Sequence, residues 1–201
     1  MLISSTVKTN QDEPSFEENR PRPLRNSDRI QGKFGSYGID ILENGPAIRV
    51  SNLYSSENGV KTNRTFAVVA YPGFIEPAFK KEHEAIIGGQ SIGLVFEHNG
   101  WVIDKKHQYF SEIEVANDLS ATYSPFNGIG TNSPAIHIYS LVISKDDFRF
   151  EYALIAEVHH PEFLQLTELK AIYGHGRDQQ PASDTGVSEF LNIVRSKIQG
   201  L

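Results

Sequence analysis

Residues 64–104 read RTFAVVAYPGFIEPAFKKEHEAIIGGQSIGLVFEHNGWVID, and the order of elements in this stretch decides the fold. The opening piece carries the β-branched and aromatic residues of a strand and stops at Tyr71-Pro72, because proline cannot donate to a ladder. A helix over 76–88 is predicted next. Pro77 suits a first turn, Ile75, Phe79, His83, Ile86 and Ile87 fall on or near one face, and Gly88-Gly89 supplies a left-handed terminus. The apolar run Ile92 to Glu97 reads as a strand, His98-Asn99-Gly100 as a hairpin turn, and Trp101-Val102-Ile103 as the returning strand.

Working outward, the flanks supply more strands. Upstream, Phe34 to Leu42 and Ala47 to Tyr54 are strand-like and separated by the turn Glu43-Asn44-Gly45-Pro46. With the Arg64 strand they form an antiparallel meander. Alternation places Ile48, Val50 and Tyr54 on one face of the second strand and Arg49, Ser51 and Leu53 on the other. Downstream, His107 to Val115 is a further strand. Ala135 to Ser144, the turn Lys145-Asp146-Asp147 and Phe148 to Val158 make the clearest hairpin, with Ala153, Ile155 and Glu157 on one face of its second arm and Tyr152, Leu154, Ala156 and Val158 on the other. Helices are expected at 161–173 and 184–199. In the last, Val187, Phe190, Leu191, Val194 and Ile198 follow helical spacing and form an amphipathic face that packs on the sheet.

The fold expected is therefore α+β, a single mainly antiparallel β-sheet of six to eight strands flanked by helices. Residues 1–28, proline-rich and polar, read as a flexible tail, and 29–201 as one domain ending in the amphipathic helix. Residues 116–134 read as a long polar loop or lid.

Composition narrows the functions. With 201 residues, 39% hydrophobic, 22% charged and a net charge of −6, the chain lacks the basic surface a nucleic-acid backbone requires and the long apolar run of a membrane span. Lys80-Lys81 and Lys105-Lys106 read as solvated pairs. The absence of cysteine excludes disulfides and thiolate chemistry. The apolar start is too short for a secretory signal, so the expectation is a cytoplasmic protein, or an envelope protein whose signal is not in the written sequence. Seven histidines lack the H-E-x-x-H spacing of a zinc helix, no glycine run makes a phosphate loop, and no G-x-S-x-G elbow is present. No metal and no cofactor are expected.

One constellation depends on order. Arg49 precedes a Gly-containing turn and the Arg64 to Val69 strand. A helix and Ser91-Ile92-Gly93-Leu94 follow, and a late strand carries Glu157 four residues before Pro161. Over residues 49–161 this order resembles chorismate lyase. The resemblance implies an antiparallel sheet with flanking helices, Arg49 binding a substrate carboxylate, Ile92 and Gly93 bringing backbone to the ligand, and Glu157 as the catalytic acid in a cofactor-independent carbon–oxygen lyase that eliminates pyruvate. The chemistry suits these residue types: a guanidinium offers a planar fork to a carboxylate, and a desolvated Glu can protonate a leaving ether oxygen. Where the family has arginines before the Glu strand, this chain reads His137-Ile138-Tyr139-Ser140, which favours binding without turnover. The alternatives are a non-catalytic pocket for a small carboxylate ligand, an envelope or assembly protein on the same fold, and a plain cross-sheet ion pair between Arg49 and Glu157. Sequence does not fix the oligomeric state.

Overall fold

The computed structural model describes residues 24–113, 133–174 and 185–199. Most of the expected tail, nearly all of the 116–134 loop and the linker after residue 174 lie outside them. The elements are α1 (Asn26–Phe34), β1 (Gly38–Asn44), β2 (Ile48–Glu57), β3 (Val60–Ala70), α2 (Lys80–Ile87, entered through a 3-10 turn at Pro77–Phe79), α3 (Ile92–His98), β4 (Val102–Glu112), β5 (Ala135–Lys145), β6 (Phe148–His159), α4 (Leu166–Tyr173) and α5 (Thr185–Gln199). The six strands form one sheet in the order β1-β2-β3-β6-β5-β4, every neighbouring pair antiparallel. The α+β reading of the sequence therefore stands.

Four local expectations are corrected. The Ile92 to Glu97 run is helix α3, because Ile92, Val95 and Phe96 turn inward at helical spacing while Leu94 is 52% exposed. A short apolar run does not by itself distinguish a buried strand from a helix. His98-Asn99-Gly100 ends that helix and makes no hairpin. Gly100 takes φ 77° and its amide donates to Glu97 O, while the Trp101 amide donates to Phe96 O, a Schellman closure needing a left-handed residue. Val102 to Glu112 is consequently one strand, whose first half the sequence reading had separated from its second. Helix α1 begins inside the supposed tail, held by Arg25 to Asp28 and by the burial of Asn26 and Ile30. The fourth correction is at Tyr152. The register between β5 and β6 slips from Leu141 opposite Ala153 to Val142 opposite Glu151, so Tyr152 is an extra residue turned to the face opposite the one predicted.

One face of the sheet is sealed. Val50, Phe66, Val68, Ile136, Ile138, Ala156 and Val158 pack under Val187, Phe190, Val194 and Ile198 of α5, as the amphipathic pattern requires. Among the described residues no helix is long and apolar enough to cross a membrane. The other face carries two separate apolar clusters. Toward one end of the strands, α2 and α3 pack Phe79, Ile86 and Phe96 against Tyr152 and Ile155. Toward the other end, Ile30 of α1 and Leu169 of α4 pack with Leu53, Ala67 and Phe163. Between these clusters the described residues leave the sheet without an apolar cover, and a cavity opens there.

Candidate functional site

The cavity measures about 840 Å³. Its floor is set by strand alternation. Arg49, Ser51 and Leu53 of β2 face the same way as Ala67 and Val69 of β3, and the register Ser51–Ala67–Glu157 and Arg49–Val69–Ile155 carries that face onto β6. Ile92 and Gly93 of α3 line one wall, and Tyr37, which leads into β1, lines another. All four residues singled out from the sequence, Arg49, Glu157, Ile92 and Gly93, therefore border one cavity.

Arg49 is the most deeply placed of them, 2% exposed. Its Nη1 donates to Gln90 O at 2.8 Å and to Ile86 O at 3.3 Å, which ties the end of α2 to the cavity floor. Among the described residues it forms no ion pair with a carboxylate. The simple cross-sheet pair with Glu157 is thereby ruled out. Glu157, 7% exposed, has another partner: Lys105 Nζ lies 3.5 Å from its Oε2, an oxygen that receives no hydrogen bond from the described residues. Burial alone would depress the Lys105 ammonium, but Glu157, helped by the phenols of Tyr139 and Tyr173, outweighs it and holds the ammonium above its ordinary range. Lys105 also lies over the Tyr139 ring at 4.2 Å.

Sequence reasoning treated Lys105-Lys106 as a solvated pair. Because the strand is continuous through these residues, alternation divides them: Lys106 is exposed, whereas Ile103, Lys105 and His107 face the cavity. The signal was present in the spacing Ile103, Lys105, His107, and the misplaced turn at His98-Asn99-Gly100 hid it. Tyr173 was missed for another reason, since its place depends on how α4 packs beside β4. Around Lys105, burial, reinforced by the neighbouring ammonium, pushes His107 down to about 4 and His137 well below the usual imidazole range. Burial also raises the Tyr37 phenol, with Arg49 opposing the shift.

At the rim, Arg25 just before α1 reaches Glu97 of α3 at 2.7 Å and is held also by Asp28. Besides Arg25 and the exposed Arg149, the cavity is lined by two sheltered cationic groups, Arg49 on β2 and Lys105 on β4. Only the second is matched by a buried carboxylate. No protein-family model matches the chain, and no curated protein matches it in sequence.

Proposed function

We propose that the cavity binds a compact aromatic or cyclic carboxylate, with Arg49 as its anchor, on a chorismate-lyase-like scaffold. One observation carries this reading: a guanidinium 2% exposed lines a cavity with main-chain carbonyls, and no carboxylate, as its hydrogen-bond partners. Removing a charge from water is expensive, and an incoming carboxylate supplies both the missing charge and acceptors for a planar fork. The walls suit an apolar ring, since Ile39, Leu53, Val69, Leu141 and Ile155 stand among the polar groups. Thermal unfolding with 4-hydroxybenzoate tests it. The melting temperature should rise with ligand concentration in the wild type and remain flat in Arg49→Met. A flat response in both contradicts the reading.

Catalysis is the second reading, favoured by a specific feature. Glu157 is buried in the same cavity, and its Oε2 lacks a hydrogen-bond donor among the described residues. A carboxyl group so placed stands where it could serve a leaving ether oxygen, provided it first gives up the Lys105 contact and takes up a proton. Incubation with chorismate decides: formation of 4-hydroxybenzoate and pyruvate that Glu157→Gln abolishes supports a lyase. Saturable binding without turnover leaves a binding protein.

A further inference from the structure

Two imidazoles meet beside Glu157. His107 of β4 lines the cavity, and behind it His137 of β5, the cross-strand partner of Glu157, is fully buried. His107 Nδ1 lies 2.8 Å from His137 Nε2. The ring centroids are 5.0 Å apart with planes at 23°, a separation equal to the nitrogen contact plus two ring radii. The rings therefore meet edge to edge in nearly one plane, where the lone pair of one nitrogen faces the N–H of the other.

The remaining nitrogen of His137 decides which ring donates. His137 Nδ1 is buried and has no hydrogen-bond partner among the described residues. If His107 donated from Nδ1, His137 would accept at Nε2 and carry its own hydrogen on Nδ1, a buried donor with no acceptor. With the hydrogen on His137 Nε2, only a lone pair at Nδ1 is unused. Orphaned buried N–H groups are the rarer of the two. The hydrogen of His107 then lies on Nε2, opposite the His137 contact. Both rings are neutral near pH 7, since burial and Lys105 oppose their protonation.

We propose that His107 is a ligand-contacting hydrogen-bond donor with a fixed tautomer, and that His137 is the positioning residue that fixes it. The inference rests on the carboxylate reading and narrows the ligand class: a carboxylate at Arg49 carrying a second, acceptor oxygen at its far end, beside Lys105. Four strand spacings, about 19 Å, separate β2 from β4, but Lys105 reaches across to Glu157 on β6, two spacings or about 10 Å from β2. That gap suits a rod-like aromatic carboxylate.

The test uses two probes and one spectrum. Dissociation constants of 4-methoxycinnamate and 4-methylcinnamate, which differ in the ether oxygen, are measured by calorimetry on the full chain. The methoxy compound should bind about three- to tenfold more tightly to the wild type, and the two should bind alike to His107→Phe. An equal affinity in the wild type, or a preference that survives His107→Phe, overturns the contact. Long-range proton–nitrogen spectra of the unliganded protein should place the His107 hydrogen on Nε2, in the wild type and in His137→Gln, whose amide can still donate, and show mixed tautomers in His137→Phe. Hydrogen on Nδ1, or no change in His137→Phe, overturns the positioning role. If neither probe binds, the carboxylate reading fails and takes the ligand contact with it, while the spectra still decide the imidazole pair.

Discussion

Arg49 and Glu157 stand on one face of the sheet with a single strand between them, and they do not pair. Arg49 is opposite Val69 and Val69 opposite Ile155, two residues from Glu157. Arg49 turns to main-chain carbonyls at the end of α2 and just beyond it, whereas Glu157 turns to Lys105. A ligand carboxylate therefore need not break an internal ion pair to reach Arg49.

Arg49 has a structural share as well, which sets the first expectation. Arg49→Met removes the hydrogen bonds to Ile86 O and Gln90 O and also removes a buried charge. These oppose one another, so the net loss should be about 1 to 3 kcal/mol, or a fall of roughly 2 to 8 °C in melting temperature. Calorimetric unfolding measures it. A loss of the whole fold would mean that Arg49 is chiefly a structural clamp.

Lys105 and Glu157 should be energetically coupled. Their side chains are 22% and 10% exposed, sheltered enough that removing one leaves the other in a poor environment. Lys105→Met and Glu157→Gln should each cost about 1 to 3 kcal/mol, and the double variant clearly less than their sum. Additive losses in denaturant unfolding would show that the contact has little energetic weight.

The buried imidazoles predict the acid limb of stability. His107 and His159 are each held down to about 4, chiefly by burial, while Glu157 partly supports protonation of His159. As pH falls through 6.5 the unfolded chain takes up protons that these two rings, and His137 with them, refuse in the folded chain. Unfolding free energy is therefore intact above about pH 6.5 and declines toward pH 4, by about 1.4 kcal/mol per pH unit for each ring. Urea unfolding between pH 7 and 4.5 should show this slope and a shallower one in His107→Gln. A pH-independent midpoint in the wild type would contradict these environments.

The sheet was legible because its strands alternate cleanly and its longest hairpin carries a strong turn, Lys145-Asp146-Asp147. Arg49 and Glu157 could be placed on one face from alternation alone, since no slip in register intervenes where β2, β3 and β6 meet beside them. Slips in register were not legible. Tyr152 changes face through an extra residue, and Phe110 joins the face of His107 through the slip between His107 and Tyr109. Nor could sequence divide Lys105 from Lys106 while the strand was broken in two at that point. Helix α3 was misread because its inward residues are adjacent to others equally apolar, so that only tertiary packing chooses the period.

Gly93 separates folding from binding. A Cβ built there would meet only Arg25 Cδ at 3.4 Å, an ordinary contact, and the position lies within α3. Gly93→Ala should therefore leave stability unchanged or raise it by up to about 1 kcal/mol. Since Gly93 lines the cavity, the same methyl should weaken 4-hydroxybenzoate binding several-fold. A variant that binds as well as the wild type would remove Gly93 from the site.

The central claim is that Arg49 anchors a carboxylate, and calorimetric titration of 4-hydroxybenzoate into wild type and Arg49→Met tests it most directly. The wild type should give one saturable site and Arg49→Met a loss of about 1.5 to 3 kcal/mol in binding, roughly 10- to 150-fold in affinity. Equal affinity in the two proteins, or no saturable heat in the wild type, would contradict it.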